Sequence, residues 1–144
     1  YIWRYTMPNI NSLVLQFYGY SVPQISFKLG DSFGGEKVQM DIKMNRTIES
    51  LPKTDESQDA HYNVTIYLTI GTEEDENGFF ADLAIKGHFS TNGDCLPVDN
   101  ATAILFPYVR STVSSLCMVA NIPPLVLPTI NIIDAFKQPS IEKS

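Results

Sequence analysis

The sequence predicts an α+β fold: a four-stranded antiparallel sheet with a long kinked helix and a short C-terminal helix packed on one side. Three observations carry that prediction. Apolar and polar residues alternate with period two through four segments between Leu13 and Phe89, turn-forming residues separate those segments, and the period lengthens to three and four after Asn100. Strands joined by short turns pair antiparallel. A chain of 144 residues suits one domain, residues 1–144, with a substantial core. Residues 1–12 and 138–144 are expected to be mobile ends.

The first strand places Leu13, Leu15 and Phe17 on one parity; after Pro23 the alternation resumes with Ile25, Phe27 and Leu29 opposite Gln24, Ser26 and Lys28. Pro23 has no N–H for the ladder, so with Gly19 it predicts a bulge, a break or an exposed strand edge. Turn residues follow at 31–35. Residues 37–45 form the second strand, with Val38, Met40, Ile42 and Met44 on a buried face and Lys37, Gln39, Asp41, Lys43 and Asn45 on a wet one. In the third, Tyr62, Val64, Ile66, Leu68 and Ile70 alternate with Asn63, Thr65, Tyr67 and Thr69. The acidic run Glu73 to Glu76 leads to Asn77-Gly78, a pair that favours a tight hairpin turn. The fourth strand carries Phe79, Ala81, Leu83, Ile85 and Phe89 on one side and Phe80, Asp82, Ala84, Lys86 and His88 on the other.

Leu105, Val109, Val113, Leu116 and Ala120 then recur at helical spacing, so residues 100–120 read as an amphipathic helix. Asp99 or Asn100 is the expected cap. Pro107 deletes a backbone hydrogen bond, which predicts a kink or a helix that begins only there. Asn121 and Pro123-Pro124 end the helix and force an extended segment at 125–128, before a short apolar helix over about residues 131–137.

The chemistry on offer is limited. Ten Lys and Arg against sixteen Asp and Glu leave a net charge of −6, which argues against nucleic acid or an anionic membrane as partner. Cys95 and Cys117 share no metal-like spacing with His61 and His88, and reduced thiols fit a cytoplasmic protein. No stretch approaches the ~20 apolar residues of a membrane span, so no direct membrane insertion is expected. His88 stands in no motif with a nucleophile or carboxylate, and Gly34-Gly35 is a turn pair rather than a phosphate cradle. An enzyme reading therefore has no positive support, and neither cofactor nor metal is expected. The apolar inventory says more: Val38, Met40, Ile42 and Met44 together with Leu125, Val126, Leu127, Ile130, Ile132, Ile133 and Phe136 exceed what one sheet and one helix readily cover, unless they simply complete the core. Methionines on such a face suit a surface that accepts many shapes.

One segment is more specific than any periodicity. Ala103-Ile104-Leu105-Phe106-Pro107-Tyr108-Val109-Arg110, followed by Ile122-Pro123-Pro124-Leu125-Val126-Leu127-Pro128-Thr129-Ile130-Asn131, resembles the C-terminal half of the SecB family of protein-export chaperones. Ile25-Ser26-Phe27 and Val38-Gln39-Met40-Asp41-Ile42 resemble that family's first two strands, in the same order. The resemblance implies an ATP-independent holdase that binds unfolded polypeptides in a hydrophobic groove and assembles as a homotetramer, a dimer of dimers. Client-binding roles would fall on Val38, Met40, Ile42, Met44, Leu125, Leu127, Ile130, Ile132 and Phe136. Oligomer contacts would fall on Ile25, Phe27, Leu105, Tyr108 and Val109. Docking of the SecA motor would use Phe80 and Asp82, but Gln24 and Lys28 stand where the family carries carboxylates. Two alternatives follow: a chaperone dedicated to an antitoxin of a toxin-antitoxin system, and a structural or regulatory oligomer that buries its groove.

Overall fold

The computed structural model describes residues 3–6, 14–34, 41–53, 58–125, 127 and 135–136. Five strands and one helix make up the described elements: β1 (Trp3–Thr6), β2 (Val14–Leu29), β3 (Ile42–Ser50), β4 (Ala60–Ile70), β5 (Phe79–Thr91) and α1 (Val98–Ala120). The sheet is antiparallel throughout, in the order β1-β2-β5-β4-β3. The four long strands are those the alternation predicts. The fifth, β1, lies within the segment expected to be a mobile end and pairs Trp3–Thr6 with Phe17–Val14 of β2.

Alternation decides which face is dry. Val64, Ile66, Leu68 and Ile70 of β4 and Phe79, Ala81, Leu83, Ile85 and Phe89 of β5 are buried on one side. Onto them α1 lowers Ala101, Leu105, Val109, Val113 and Cys117, four residues apart and therefore one stripe of a helix. Each fully buried Leu, Ile or Phe contributes about 1.5–3 kcal/mol of transfer free energy. Gly87 interrupts the apolar parity of β5 for a steric reason: a Cβ there would stand 2.9 Å from Leu105 Cδ1 and from Phe89 Cε1. The missing side chain is the seat into which Leu105 fits.

Several details depart from expectation. The helix starts at Val98 with Pro97 at its N-cap and no side-chain cap, so Asp99 lies in the first turn and does not cap it. It runs on through Pro107, so Pro107 is not its start. Asn121 ends it in the left-handed conformation, φ 59°, and Ile122 N–H closes back on the Cys117 carbonyl at 3.1 Å. At 23 residues, α1 has the length and apolar composition of a membrane span, which the sequence reading missed; its apolar stripe is turned onto the sheet. β2 carries two register shifts, Phe17/Tyr20 and Ser21/Gln24, around Gly19 at φ 109°, which is the bulge that Gly19 and Pro23 foretell. Asn77-Gly78 does not make a two-residue turn, because residues 71–78 form a longer loop that zips onto the 30–34 turn. Gly30 N–H donates to Gly78 O at 2.9 Å and Ser32 N–H to Glu76 O at 2.8 Å. The expected helix at 131–137 lies outside the described residues except for Ala135 and Phe136.

Candidate functional site

The site grows from a mismatch in width between sheet and helix. α1 packs over β2, β4 and β5, while β3 lies one strand further out. Ile42, Met44, Arg46 and Ile48 sit directly across from Ile70, Leu68, Ile66 and Val64, so all four point to the helix-bearing face. Met44 is partly buried against the core, yet Ile42 and Ile48 remain 37% and 42% exposed. A strand of this parity would be dry under a wider helix layer. Here it forms an apolar shelf beside α1, and among the described residues no strand pairs with its outer edge.

Arg46 bridges shelf and helix. Its Nη1 donates to Thr102 Oγ1 at 3.0 Å and meets Asp99 Oδ1 at 3.4 Å, while Thr102 Oγ1 donates to the Val98 carbonyl at 2.7 Å. The Arg46 guanidinium also stands 4.8 Å from the centre of the Phe136 ring. One cation thus holds the first turn of α1 and the C-terminal segment against an edge strand. Leu127 and Phe136 are buried and Leu125 and Ile122 are partly buried against the same core, so the chain leaving α1 returns to the sheet.

The residues singled out from the sequence divide accordingly. Ile42, Met44, Leu125, Leu127 and Phe136 lie on this one side of the molecule, Ile42 most open and Leu127 and Phe136 least. Val38, Met40, Ile130 and Ile132 lie outside the described residues. Arg46 and Ile48 were missed: Ile48 continues the parity of Ile42 and Met44 beyond the strand end assigned at Asn45. Leu105 and Val109 are fully buried within the chain, so of the helix residues assigned to an oligomer interface only Tyr108 keeps part of its surface, stacked on Tyr20 at 4.5 Å between ring centres. Ile25 is 47% exposed and Phe27 packs on Phe79. On the opposite sheet face Phe80 is partly buried beside Asp82, whose carboxylate accepts from Thr69 Oγ1 at 3.1 Å and from Gln24 Nε2 at 3.3 Å.

The family profile described as SecB, preprotein translocase subunit SecB, matches residues 22–143, most of the chain. The chain belongs to the SecB family. A protein-export protein SecB from Saccharophagus degradans is 30% identical over 122 residues, covering 79% of this chain and 71% of the relative. An uncharacterized protein of Methanocaldococcus jannaschii is 29% identical over 143 residues, covering 90% of each. Among solved structures, a SecB-like chaperone from Mycobacterium tuberculosis, in complex with a ChAD peptide from the HigA1 antitoxin, superposes with a TM-score of 0.61 at 14% identity. It covers 81% of this chain and 91% of its own length. A Streptococcus agalactiae protein of unknown function gives 0.56 at 13% identity, covering 82% of this chain and 99% of that one. These two likenesses are in fold. The SecB family is one of chaperones in protein transport, and the shelf on β3 is an exposed apolar surface of this chain.

Proposed function

We propose that this SecB-family chain is an ATP-independent holdase that binds unfolded or non-native polypeptides along β3, in the cytoplasm and ahead of export. The observation that carries the reading is the apolar shelf: Ile42 and Ile48 exposed on an edge strand, beside a helix too narrow to cover them. Apolar burial is non-directional and contributes roughly 25 cal/mol per Å², so side chains of many shapes satisfy the shelf. The open edge adds backbone hydrogen bonds to any extended segment, which selects unfolded over folded clients. Met44, Leu125, Leu127 and Phe136 complete the groove, with Val38, Met40, Ile130 and Ile132 assigned to it by family position.

The test is native mass spectrometry of the purified chain with a chemically unfolded, slow-refolding polypeptide and with its folded form. Retention of the unfolded form alone supports the holdase, and loss of that retention in Ile42→Asp/Ile48→Asp locates it on β3. Retention of neither form overturns it and leaves a structural or regulatory oligomer.

A second reading rests on the other sheet face. A basic SecA tail needs a cluster of carboxylates; Phe80 and Asp82 are the candidate dock, but Asp82 is engaged by Gln24 and Thr69, and Lys28 sits directly across from Phe80. A chaperone dedicated to an antitoxin, the kind of peptide bound by the Mycobacterium tuberculosis relative, fits this weakened patch. Dependence of a cognate toxin's activity on this chain separates the two. For assembly, β2 beyond Phe17 has no strand on its outer side among the described residues, and Ile25, Val22 and Leu29 are exposed along it. That edge supports a dimer through paired β2 strands, and two such dimers a homotetramer, with Ile25, Phe27 and Tyr108 in contacts and Leu105 and Val109 left in the core.

A further inference from the structure

The sheet face turned away from α1 carries a cluster that lies outside the proposed client groove. His61 of β4 and His88 of β5 lie on adjacent strands, offset by two positions in the register, since His61 pairs with Ser90 and His88 with Asn63. His61 Nδ1 stands 2.9 Å from His88 Nε2. Tyr18 roofs both rings, 4.7 Å from His88 and 5.6 Å from His61 between centroids. The roof is itself fixed, because Tyr18 Oη donates to Gln16 Oε1 at 2.5 Å and lies 3.0 Å from Ser90 Oγ. Tyr18 falls in the first bulge of β2, next to Gly19, where the strand leaves its register with β5. Beside His88 an open cavity of about 360 Å³ is lined by Tyr18, Gly19, Tyr20, Ser21, Asn63, Lys86 and His88.

We propose that His61 and His88 form a bidentate site for a borderline divalent transition-metal ion, zinc or copper(II), bound through the two facing ring nitrogens. Metal–imidazole bonds of about 2.0–2.1 Å place two neighbouring ligand nitrogens about 2.9–3.4 Å apart, so the spacing present is within the range of a chelate once both rings turn from each other toward a shared ion. Neutral imidazole is the ligating form. In the apo pair one ring donates its N–H to the other. Metal binding moves that proton to the distal nitrogen of the same ring, freeing both facing lone pairs without a net change in protonation. Among the described residues no third His, Cys, Asp or Glu converges on the pair, so water in the adjoining cavity fills the remaining positions. A donor set of two imidazoles and water prefers zinc or copper(II) to magnesium or calcium, while the cationic Lys86 on the cavity wall holds affinity to a moderate range.

The test is titration of the tag-free full chain with zinc chloride and copper sulfate by calorimetry, with magnesium chloride as control. Electron paramagnetic resonance of the copper form counts the coordinated nitrogens. One saturable ion per chain with two-nitrogen coupling is expected, with affinity falling at least tenfold in His61→Gln and in His88→Gln and unchanged in Cys95→Ser. Imidazole ¹⁵N spectra of the unsubstituted chain give an independent readout, since zinc must shift both facing nitrogens together. Binding that survives both histidine substitutions, or no saturable binding at millimolar metal, overturns the proposal and leaves a hydrogen-bonded pair that packs under Tyr18.

Discussion

β5 and β3 carry the same alternation of apolar and polar residues, yet one is the spine of the molecule and the other its open shelf. β5 is paired on both sides and capped by α1, so Leu83, Ile85 and Phe89 are buried. Among the described residues β3 is paired on one side, and it lies beyond the helix, so Ile42 and Ile48 are not. Alternation therefore reports which way a side chain points, whereas a strand's place in the sheet decides whether anything waits there to cover it. The same apolar residue type is buried in the core in one strand and left exposed in the other.

The largest effect should come from the spine. Leu83→Ala removes a buried side chain from the middle of β5 and should destabilise the fold by about 2–5 kcal/mol, read from the midpoint of chemical unfolding. Ile48→Ala, the same kind of truncation on β3, should cost less than about 1 kcal/mol, and comparable losses at the two positions would erase the distinction. Between them lies Arg46→Ala, which releases Thr102, Asp99 and Phe136 together. With Asp99 half exposed, a loss of about 1–2 kcal/mol is expected. Arg46→Lys should recover little of it, because the planar guanidinium both forks to α1 and stacks on the ring. Placing charge on the shelf with Ile42→Asp/Ile48→Asp should cost about 1–2 kcal/mol, less than the Leu83 truncation, while suppressing client retention several-fold in light-scattering assays of aggregation.

The smallest expected effect is one of pH. His88 titrates lower in the folded chain than in the unfolded one, so as pH falls below about 6.5 the unfolded state takes up the proton first and stability declines toward the folded-state value. His88→Gln should flatten that limb of the curve of stability against pH, and an unchanged slope would exclude His88 as its source.

The four long strands and the main helix were legible in the sequence because each exposes its period over nine or more residues. β1 was not, since four residues show no period and its strand state depends on the β2 edge it meets. The shelf was half legible: Ile42 and Met44 announced an apolar face, but only sheet order and helix width reveal that the face is uncovered. Arg46 was invisible for a related reason, since its partners Asp99, Thr102 and Phe136 are distant in sequence and are assembled by topology. His88 read as an ordinary strand histidine and His61 as the end of the polar connection before the third strand; β4 begins at Ala60 and its register with β5 makes the two neighbours.

The acidic loop at 71–78 is held to the 30–34 turn by main-chain hydrogen bonds, and a methyl group on Gly30 would come within 2.3 Å of the Glu76 carbonyl. Its shape is thus written mostly in backbone, with Asp75 Oδ1 accepting from Asn77 N–H at 2.9 Å, while Glu73, Glu74 and Glu76 are exposed at the surface. Shape and charge at this tip are separately heritable: descendants of this chain are free to exchange the exposed glutamates one codon at a time, but not to give Gly30 a side chain.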